Sequence, residues 1–211
     1  MKIRASQNRA SGRIKTVCAF VLLTGLLALP MATALADSKD GVFPTAKEVG
    51  GQVFIDPVAV GKKMPTDFEA YDMNGQKIDF GKVVQGKRTM VVFFISAVPA
   101  SVGELRTIEN FVSRYGRGIN LVFVNADTVG AALMGGQSAV IPNSVKTMHV
   151  IKREEGLKSN NIYVAPNDAL SPKGISTRLG IRGLPTSFVL DANGAVEKVF
   201  VGPKKWEKGD I

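Results

Sequence analysis

The residues that could carry chemistry gather at one junction, residues 91–105, which read VVFFISAVPASVGEL. An apolar strand pattern runs into Pro99 and then into what the spacing predicts to be the first turn of a helix. In α/β proteins such a junction often holds catalytic or binding groups. Ser101 offers a hydroxyl near the helix start, whereas Ala97, Val98 and Pro99 before it are apolar. Ser101 is therefore the candidate nucleophile of this stretch.

A serine nucleophile needs a base, and the sequence has a single histidine, His149. This residue is predicted on a helix far along the chain without a carboxylate to orient it, and we interpret it as a surface side chain. A metal site would have to combine His149 with Met134, Met148 or Asp127, and the methionines are interpreted as core residues. The sequence therefore predicts neither a serine hydrolase nor a bound metal or cofactor.

The first 36 residues have the pattern of a secretory signal peptide. Residues 1–15 carry five basic and no acidic side chains, an apolar run follows, and ALAD offers a cleavage point after Ala36. The alternative is a signal anchor that stays in the membrane, but Pro30 and the small residues after it favour cleavage. We expect an exported, periplasmic chain that has no stable membrane insertion after cleavage.

Removal of this segment changes the charge and the cysteine content. The net charge falls from +9 to +4, because the five charges lost are all positive, and no nucleic-acid partner is expected. The only cysteine, Cys18, lies within the apolar run. The mature chain would have no thiol, which excludes disulfides, thiolate metal sites and cysteine nucleophiles.

The remaining chain predicts one α/β domain over residues 64–211, preceded by a Gly-rich N-terminal extension over residues 37–63 with one short strand at residues 52–55. The domain begins with a hairpin that turns at Asn74 and Gly75. A buried strand at residues 89–95, an amphipathic helix at residues 100–115 ended by Gly116, and a parallel strand at residues 119–127 then form a βαβ unit.

The second half of the domain is predicted to continue with a helix, a short strand and a hairpin. Residues 128–144 are small and uncharged and predict a loop, after which Asn143 and Ser144 would cap a helix through residues 145–157. A short strand near residue 163 and a short helix near residue 177 follow. The last two strands form an antiparallel hairpin in which Asp191 and Asn193 are turn residues.

The order and spacing of these pieces resemble the thioredoxin fold and, within it, the TlpA/ResA-like and AhpC/TSA (redoxin) families. The matching stretches are MPTDFEAYDMNGQKIDF, VVFFIS, LVFVNAD and RGLPTSFVLDANG. The last is the most specific, because in these families such a run carries a cis-proline that faces the active site. The resemblance implies a three-layer α/β fold with a central mixed sheet, a C-terminal antiparallel hairpin and a cis peptide bond before Pro185.

The redox motif of these families is missing from the matching positions. TlpA-like proteins place W-C-x-x-C after the strand, and on that pattern Ala97 takes the Trp position, Val98 the first Cys, Ser101 the second and Glu104 the acidic position that follows. The peroxiredoxin pattern also puts Ser101 in the cysteine position. Because a serine hydroxyl is not ionised at neutral pH and cannot form a disulfide, neither thiol-disulfide exchange nor thiol peroxidase activity is expected.

The resemblance further implies a shallow groove between the former cysteine turn and the proline loop. Its wall would be apolar and would consist of Ala97, Val98, Pro99, Leu184 and Pro185. We therefore predict a non-catalytic binding or assembly factor that docks an extended segment of an exported protein partner or of a second copy. The alternatives are an inactive paralogue or regulator within a thiol-disulfide or peroxide redox system, and a metal carrier that uses Met and His.

The C-terminus is too short for the helix with which thioredoxin-like domains usually close. Only nine residues, PKKWEKGDI, follow the last predicted strand, enough for a helix of about 14 Å at most. We expect one sheet face to be incompletely covered, with Trp206 packed on it as a partial lid. The remaining gap would be filled by the N-terminal extension or by a partner.

Overall fold

A computed structural model describes residues 57–127, 137–168 and 174–211 of the chain. The predicted signal peptide with Cys18, the strand expected at residues 52–55, and Met134 lie outside these residues. Among the helices that are described, none combines the length and the apolar character needed to cross a bilayer.

Seven strands and four helices form within the described residues. In chain order they are β1 (Ala70–Tyr71), β2 (Lys77–Ile78), α1 (Phe80–Val84), β3 (Thr89–Phe94), α2 (Pro99–Tyr115), β4 (Asn120–Asn125), α3 (Gln137–Glu154), β5 (Ile162–Val164), α4 (Ile175–Leu179), β6 (Thr186–Leu190) and β7 (Val196–Val201). The βαβ unit and both predicted hairpins are confirmed. Helix α1 was not predicted, and it begins where the Asp79 carboxylate accepts a hydrogen bond from the backbone N–H of Gly81 at 3.0 Å.

The strands form one mixed sheet in the order β2-β1-β5-β4-β3-β6-β7. Strand β4 runs parallel to β3 and β5, whereas β6 is antiparallel to both β3 and β7. Every residue of the central strand β3 is buried, which explains its continuous apolar run, since helices cover both faces of the sheet there. The expected α/β architecture with a central mixed sheet and a C-terminal hairpin is confirmed.

Two apolar layers sandwich the sheet, and successive residues of β3 point alternately into them. Phe93 packs on the face covered by α1 and α4, where its ring meets Phe188 edge to face at 5.9 Å. Phe94 packs on the opposite face with Leu105 of α2 and Met148 of α3. The core therefore holds the ends of β3 and β4 rigidly between the helices.

Helix α3 corrects residues 137–144 of the loop expected over residues 128–144 and the expected cap at Asn143 and Ser144. Residues 128–136 of that loop lie outside the described residues. The helix begins at Gln137, so Pro142, Asn143 and Ser144 lie inside it. Its buried positions, Val140, Ser144, Met148 and Ile151, recur at helical spacing across the proline. Pro142 is exposed on the other face, and because proline has no N–H the helix loses one backbone hydrogen bond there. The free energy gained by burying these positions outweighs the tendency of Pro142 to interrupt a helix.

Carboxylates fix both hairpin turns. Asp72 Oδ1 accepts hydrogen bonds from the backbone N–H groups of Asn74 and Gln76 at 2.9 and 2.8 Å. In the second hairpin Asp191 Oδ1 accepts from the N–H groups of Asn193 and Ala195, each at 2.8 Å. The bond from the Ala195 N–H, reinforced by that from Asn193, holds the pKa of Asp191 below its ordinary value. The interpretation of Asp191 and Asn193 as turn residues is confirmed.

The segment before Met64 hydrogen-bonds to the start of β7. Gly61 N–H donates to the Val196 carbonyl at 2.8 Å, and Val196 N–H donates to the Lys62 carbonyl at 2.9 Å. Met64 itself is buried in the core. This segment therefore lengthens the edge of the sheet, while the domain boundary placed at residue 64 stays a prediction.

The C-terminal segment crosses the α2 face of the sheet without forming a helix. The Trp206 ring lies between Phe111 of α2 and Phe200 of β7, with ring centroids 5.2 and 5.1 Å away. Its Nε1 donates to Glu104 Oε1 at 2.7 Å, and the Lys204 ammonium lies over the Phe200 ring at 4.5 Å. The predicted packing of Trp206 is confirmed. That the N-terminal extension or a partner covers the rest of this face stays a prediction.

Candidate binding site

The turn between β3 and α2 is held in place by Asp127. The Asp127 carboxylate accepts a hydrogen bond from the backbone N–H of Ser96 at 2.7 Å and another from the Ser96 hydroxyl at 2.6 Å. Because Ser96 follows β3 and Asp127 follows β4, these bonds join the ends of two neighbouring parallel strands. The backbone that leads into Val98 is therefore fixed from both sides.

Val98 forms the N-cap of α2. Its backbone is extended, with φ −110° and ψ 97°, no side chain caps the helix, and Pro99 occupies the first turn. The N–H groups of Ser101 and Val102 donate to the Val98 carbonyl at 2.9 and 3.1 Å. A helix N-terminus stabilises a thiolate in active redox proteins. Here the side chain at that position is an isopropyl group that cannot ionise.

Ser101 does not form a nucleophilic centre. Its side chain is fully buried, and its Oγ has no hydrogen-bond partner among the described residues. His149 is exposed on α3, where its Nε2 lies 3.0 Å from the Met73 carbonyl oxygen. Since Ser101 is buried and no base contacts its Oγ among the described residues, this part of the chain gives it no route to activation.

Asn125, at the end of β4, is a second buried polar residue that the sequence analysis did not single out. Its side chain is fully inaccessible, and neither its Oδ1 nor its Nδ2 has a partner in the described part of the chain. It follows Phe123 by two positions and so shares the sheet face on which α2 packs. Each unsatisfied buried group costs about 1–3 kcal/mol. The one sequence signal is an Asn that ends an apolar strand.

The peptide bond between Leu184 and Pro185 is cis, as predicted. Pro185 is buried and Leu184 is half-buried. The Thr186 hydroxyl donates to the Gly183 carbonyl at 2.6 Å. The proline loop is thereby tied to the start of β6, next to the end of β3.

A pocket of about 430 Å³ opens between the Val98 turn and the proline loop. Its lining comprises Ile95, Val98, Ala126, Asn167, Ser176, Ile181, Arg182, Gly183 and Leu184. Of the predicted groove residues, Val98 and Leu184 belong to this lining. Ala97 and Pro99 are exposed beside it, and Pro185 is buried behind it. That these residues bind a partner stays a prediction.

The polar side of the pocket is formed by residues that the sequence analysis missed. Asn167 is 3% exposed, and its Oδ1 accepts hydrogen bonds from the backbone N–H and the hydroxyl of Ser176, both at 3.1 Å. Arg182 contributes a formal charge to the lining. No spacing signal marks Asn167 or Ser176, because they meet only through the fold.

Of the residues considered for a metal site, His149, Met148 and Asp127 are described, whereas Met134 is not. Within the described ranges no cluster of three or more His, Cys, Asp or Glu side chains could hold an ion. Met148 is fully buried in the core, and both Asp127 carboxylate oxygens are bonded to Ser96.

Solved structures share the fold at low sequence identity. The thioredoxin domain of a thiol-disulfide oxidoreductase from Bacteroides vulgatus aligns with a TM-score of 0.50 and 14% identity over 69% of this chain and 91% of that one. A hypothetical protein from Sinorhizobium meliloti 1021 aligns with a TM-score of 0.50 and 15% identity over 74% and 76%. An uncharacterized conserved protein from Geobacillus kaustophilus aligns with a TM-score of 0.50 and 13% identity over 72% of this chain and 73% of that one. At these identities the likeness concerns the fold alone.

The family assignment comes from sequence. A comparison with curated proteins finds no significant match. The Redoxin family model, in contrast, matches residues 59–211, a range that includes the pocket, the cis-proline loop and the C-terminal segment and that holds no cysteine. Because this match spans well over half of the sequence, the chain belongs to the Redoxin family.

Proposed function

We propose that this chain is an exported thioredoxin-fold protein that binds a partner without performing thiol chemistry. The observation that carries the proposal is the start of α2, where Val98 is the N-cap and the side chain of Ser101 is buried without a partner among the described residues. The family resemblance implies that these two residues take the positions of the redox cysteines. Export is part of the proposal and rests on the signal-peptide pattern of residues 1–36.

Thiol-disulfide exchange requires a thiolate that attacks a disulfide and a mixed disulfide that is then resolved. Peroxide reduction by this family's route also starts from a thiolate. Val98 has no ionisable atom, and Ser101 is sealed inside the protein. The chain therefore keeps the scaffold of these reactions and lacks the groups that carry them out.

A binding role is supported by the hydrogen bonds that fix the backbone around Val98. The turn before it is bonded to Asp127, and the loop that carries Leu184 is bonded through Thr186. Burying about 300 Å² of apolar surface there would contribute up to roughly 7 kcal/mol before the costs of association are deducted. We propose that the occupant is an extended segment of an exported protein or of a second copy, laid against the backbone of Leu184.

The second candidate function is that of an inactive paralogue or regulator within a thiol-disulfide or peroxide redox system. It would use the same surface and would differ only in the identity of its partner. Metal carriage through Met and His stays a prediction. It has less support, because Met148 is fully buried and the described residues hold no cluster of three or more His, Cys, Asp or Glu side chains that could add ligands.

The first test is enzymatic. Purified mature protein is assayed for reduction of insulin disulfides and for peroxide consumption with a thiol donor. We expect rates equal to a blank without protein, since residues 37–211 contain no cysteine. Thiol-dependent turnover well above the blank would refute the non-catalytic assignment.

The second test locates the binding surface. A photo-crosslinking amino acid is placed at Ala97, which is exposed beside the pocket, and at Val60, which is 66% exposed and lies outside the pocket lining. We expect the Ala97 probe to capture a defined exported protein or a second copy, and the combined changes Val98→Asp and Leu184→Lys to abolish capture. The matched variant Val60→Asp should leave capture intact. Equal capture by both probes, or capture that survives the double change in a folded protein, would place the partner elsewhere.

A further inference from the structure

The described part of the chain begins beside the pocket. Val58 donates its backbone N–H to the carbonyl of Leu179, the last residue of α4, at 3.2 Å, and its side chain packs on the core face that α1 and α4 cover. Leu179 follows Ser176 and precedes Ile181 closely in the chain, and both of these residues line the pocket. The residues before Val58 therefore start from the α4 side of the pocket.

The chain before Val58 is long enough to reach across this pocket. An extended chain spans at most about 3.3–3.6 Å per residue, so the stretch from Val58 back to Val53 spans up to roughly 17 Å. The stretch from Leu179 forward to Leu184 has the same number of residues and cannot span more. A segment tied to Leu179 can therefore place residues 53–55 against the proline loop.

The pocket has an apolar wall on each of two sides. Ile95 and Val98 belong to the turn before α2, and Ile181 and Leu184 belong to the proline loop. The volume is about 430 Å³, whereas a cavity of about 150 Å³ already holds one benzene ring. There is therefore room for several apolar side chains. An extended segment, whose successive side chains point to opposite sides, can bury both of its faces between two such walls.

The sequence directly before Val58 has the side chains that this space requires. Residues 53–55 read VFI and belong to the short strand predicted at residues 52–55, although they lie outside the described residues. Three successive apolar residues on a strand indicate burial on both of its faces. Such a segment needs a site with two apolar sides, and the pocket within its reach has them.

We propose that residues 53–55 of the same chain occupy the pocket beside Val98 when no partner is bound. The inference rests on the proposed function in one respect, namely that the surface between Val98 and Leu184 is a binding site. It adds an intramolecular occupant that a partner must displace. If the segment fills the pocket in about nine of ten molecules, the apparent Kd for a partner rises about tenfold. The N-terminal extension thereby regulates the site.

The experiment is photo-crosslinking of the purified mature protein without a partner, with the probe at Ala97, which is exposed beside the pocket. The products are separated by size, and the joined peptides are identified by mass spectrometry. We expect a monomer in which the probe is joined to residues 52–56. A dimer joined through these residues would make a second copy the occupant and overturn the inference. A product joined elsewhere, or no product, would overturn it as well.

Variants separate a docked segment from chance contact with a nearby chain. The combined changes Val53→Asp and Ile55→Asp keep the length of the segment and should lower the yield of the internal product at least about fivefold, because a carboxylate would lose its hydration in an apolar pocket. The matched variant Val60→Asp, at an exposed position outside the pocket lining, should leave the yield unchanged. Circular dichroism checks the folding of each variant.

Methyl NMR gives a second readout. The Val98 and Leu184 methyl signals should shift in the double variant and stay in place in Val60→Asp. If the double variant cross-links as efficiently as the wild type, the contact is a chance one and the inference is wrong. Failure of the proposed function would appear separately, as thiol turnover or as partner capture away from the groove, since the internal product forms without a partner.

Discussion

Removal of the Trp206 side chain tests how the C-terminal segment covers the sheet. The ring packs against Phe111 and Phe200 at 5.2 and 5.1 Å, and each such aromatic pair contributes about 0.5–1.5 kcal/mol beyond burial. The bond to the Glu104 carboxylate at 2.7 Å adds roughly 1.5–3 kcal/mol. Since Trp206 is only half-buried, we expect Trp206→Ala to lower the free energy of unfolding by about 3 kcal/mol. For a chain of this size that is a fall of roughly 6–12 °C in Tm.

The assay is urea unfolding followed by circular dichroism, because Trp206 is the only tryptophan and fluorescence would be lost with it. Trp206→Phe keeps a ring and removes the N–H donor. Because the site is only half-buried and water can reach Glu104, the loss should be about 1.5 kcal/mol, the low end of the range for that bond. Glu104→Ala should cost about the same, and it should add little to Trp206→Phe because both remove one hydrogen bond. A loss below about 0.5 kcal/mol for Trp206→Ala, or wild-type emission typical of a water-exposed indole, would contradict this account of the segment.

Four further outcomes are expected. The double variant Val98→Cys, Ser101→Cys should close into a disulfide under mild oxidant, as judged by thiol alkylation and mass, because Val98 is the N-cap of α2 and Ser101 lies in its first turn; a pair that stays reduced would mean that the motif is misplaced. Ser101→Ala should leave stability unchanged or raise it by up to about 1 kcal/mol in urea unfolding, since it removes a buried hydroxyl that has no partner in the described part of the chain; a clear loss would reveal a partner elsewhere in the chain. The pKa of Asp191 is lowered in the folded state by the N–H of Ala195. The carboxylate therefore stabilises the fold above its ordinary pKa near 4, and this stabilisation is lost as the pH falls through the lower pKa of the folded state. In the Asp191→Asn variant the urea midpoint should therefore change less with pH below about pH 4 than it does in the wild type. An equal pH dependence in both proteins would contradict the turn contact. Intact mass of the exported protein should correspond to cleavage after Ala36, and a product that retains residues 1–36 would exclude it.

The sheet and the βαβ unit were predictable because their signals are local. The continuous apolar run of β3 and the helical spacing of Leu105, Ile108 and Val112 in α2 report burial directly. The hairpin turns carry Asp72 and Asp191, whose side chains hydrogen-bond residues only two and four positions ahead. Such short-range chemistry can be read from the sequence without knowledge of the fold.

The start of α3 and the pocket's polar side were not predictable for the opposite reason. Pro142 suggests a loop in the sequence. The helix forms there because Val140 and Ser144 are buried against the rest of the fold, which the sequence alone does not show. Asn167 and Ser176 lie nine residues apart in sequence, and the intervening chain gives no periodic signal. Val98 and Leu184 were singled out through the family resemblance, whereas Arg182 joined them only once the proline loop was placed.

The two short hydrogen bonds between Ser96 and Asp127 would affect the kinetics of the proposed binding. A surface that must order itself on contact slows association and loses part of its binding energy to conformational entropy. Here the turn beside the pocket is held in one arrangement before any ligand arrives. A stiff ligand should therefore associate with the open pocket at a rate set by diffusion and orientation, and a flexible one should bind more weakly by the entropy of its own ordering. Discrimination at this site would accordingly follow the rigidity of the ligand as well as its chemistry.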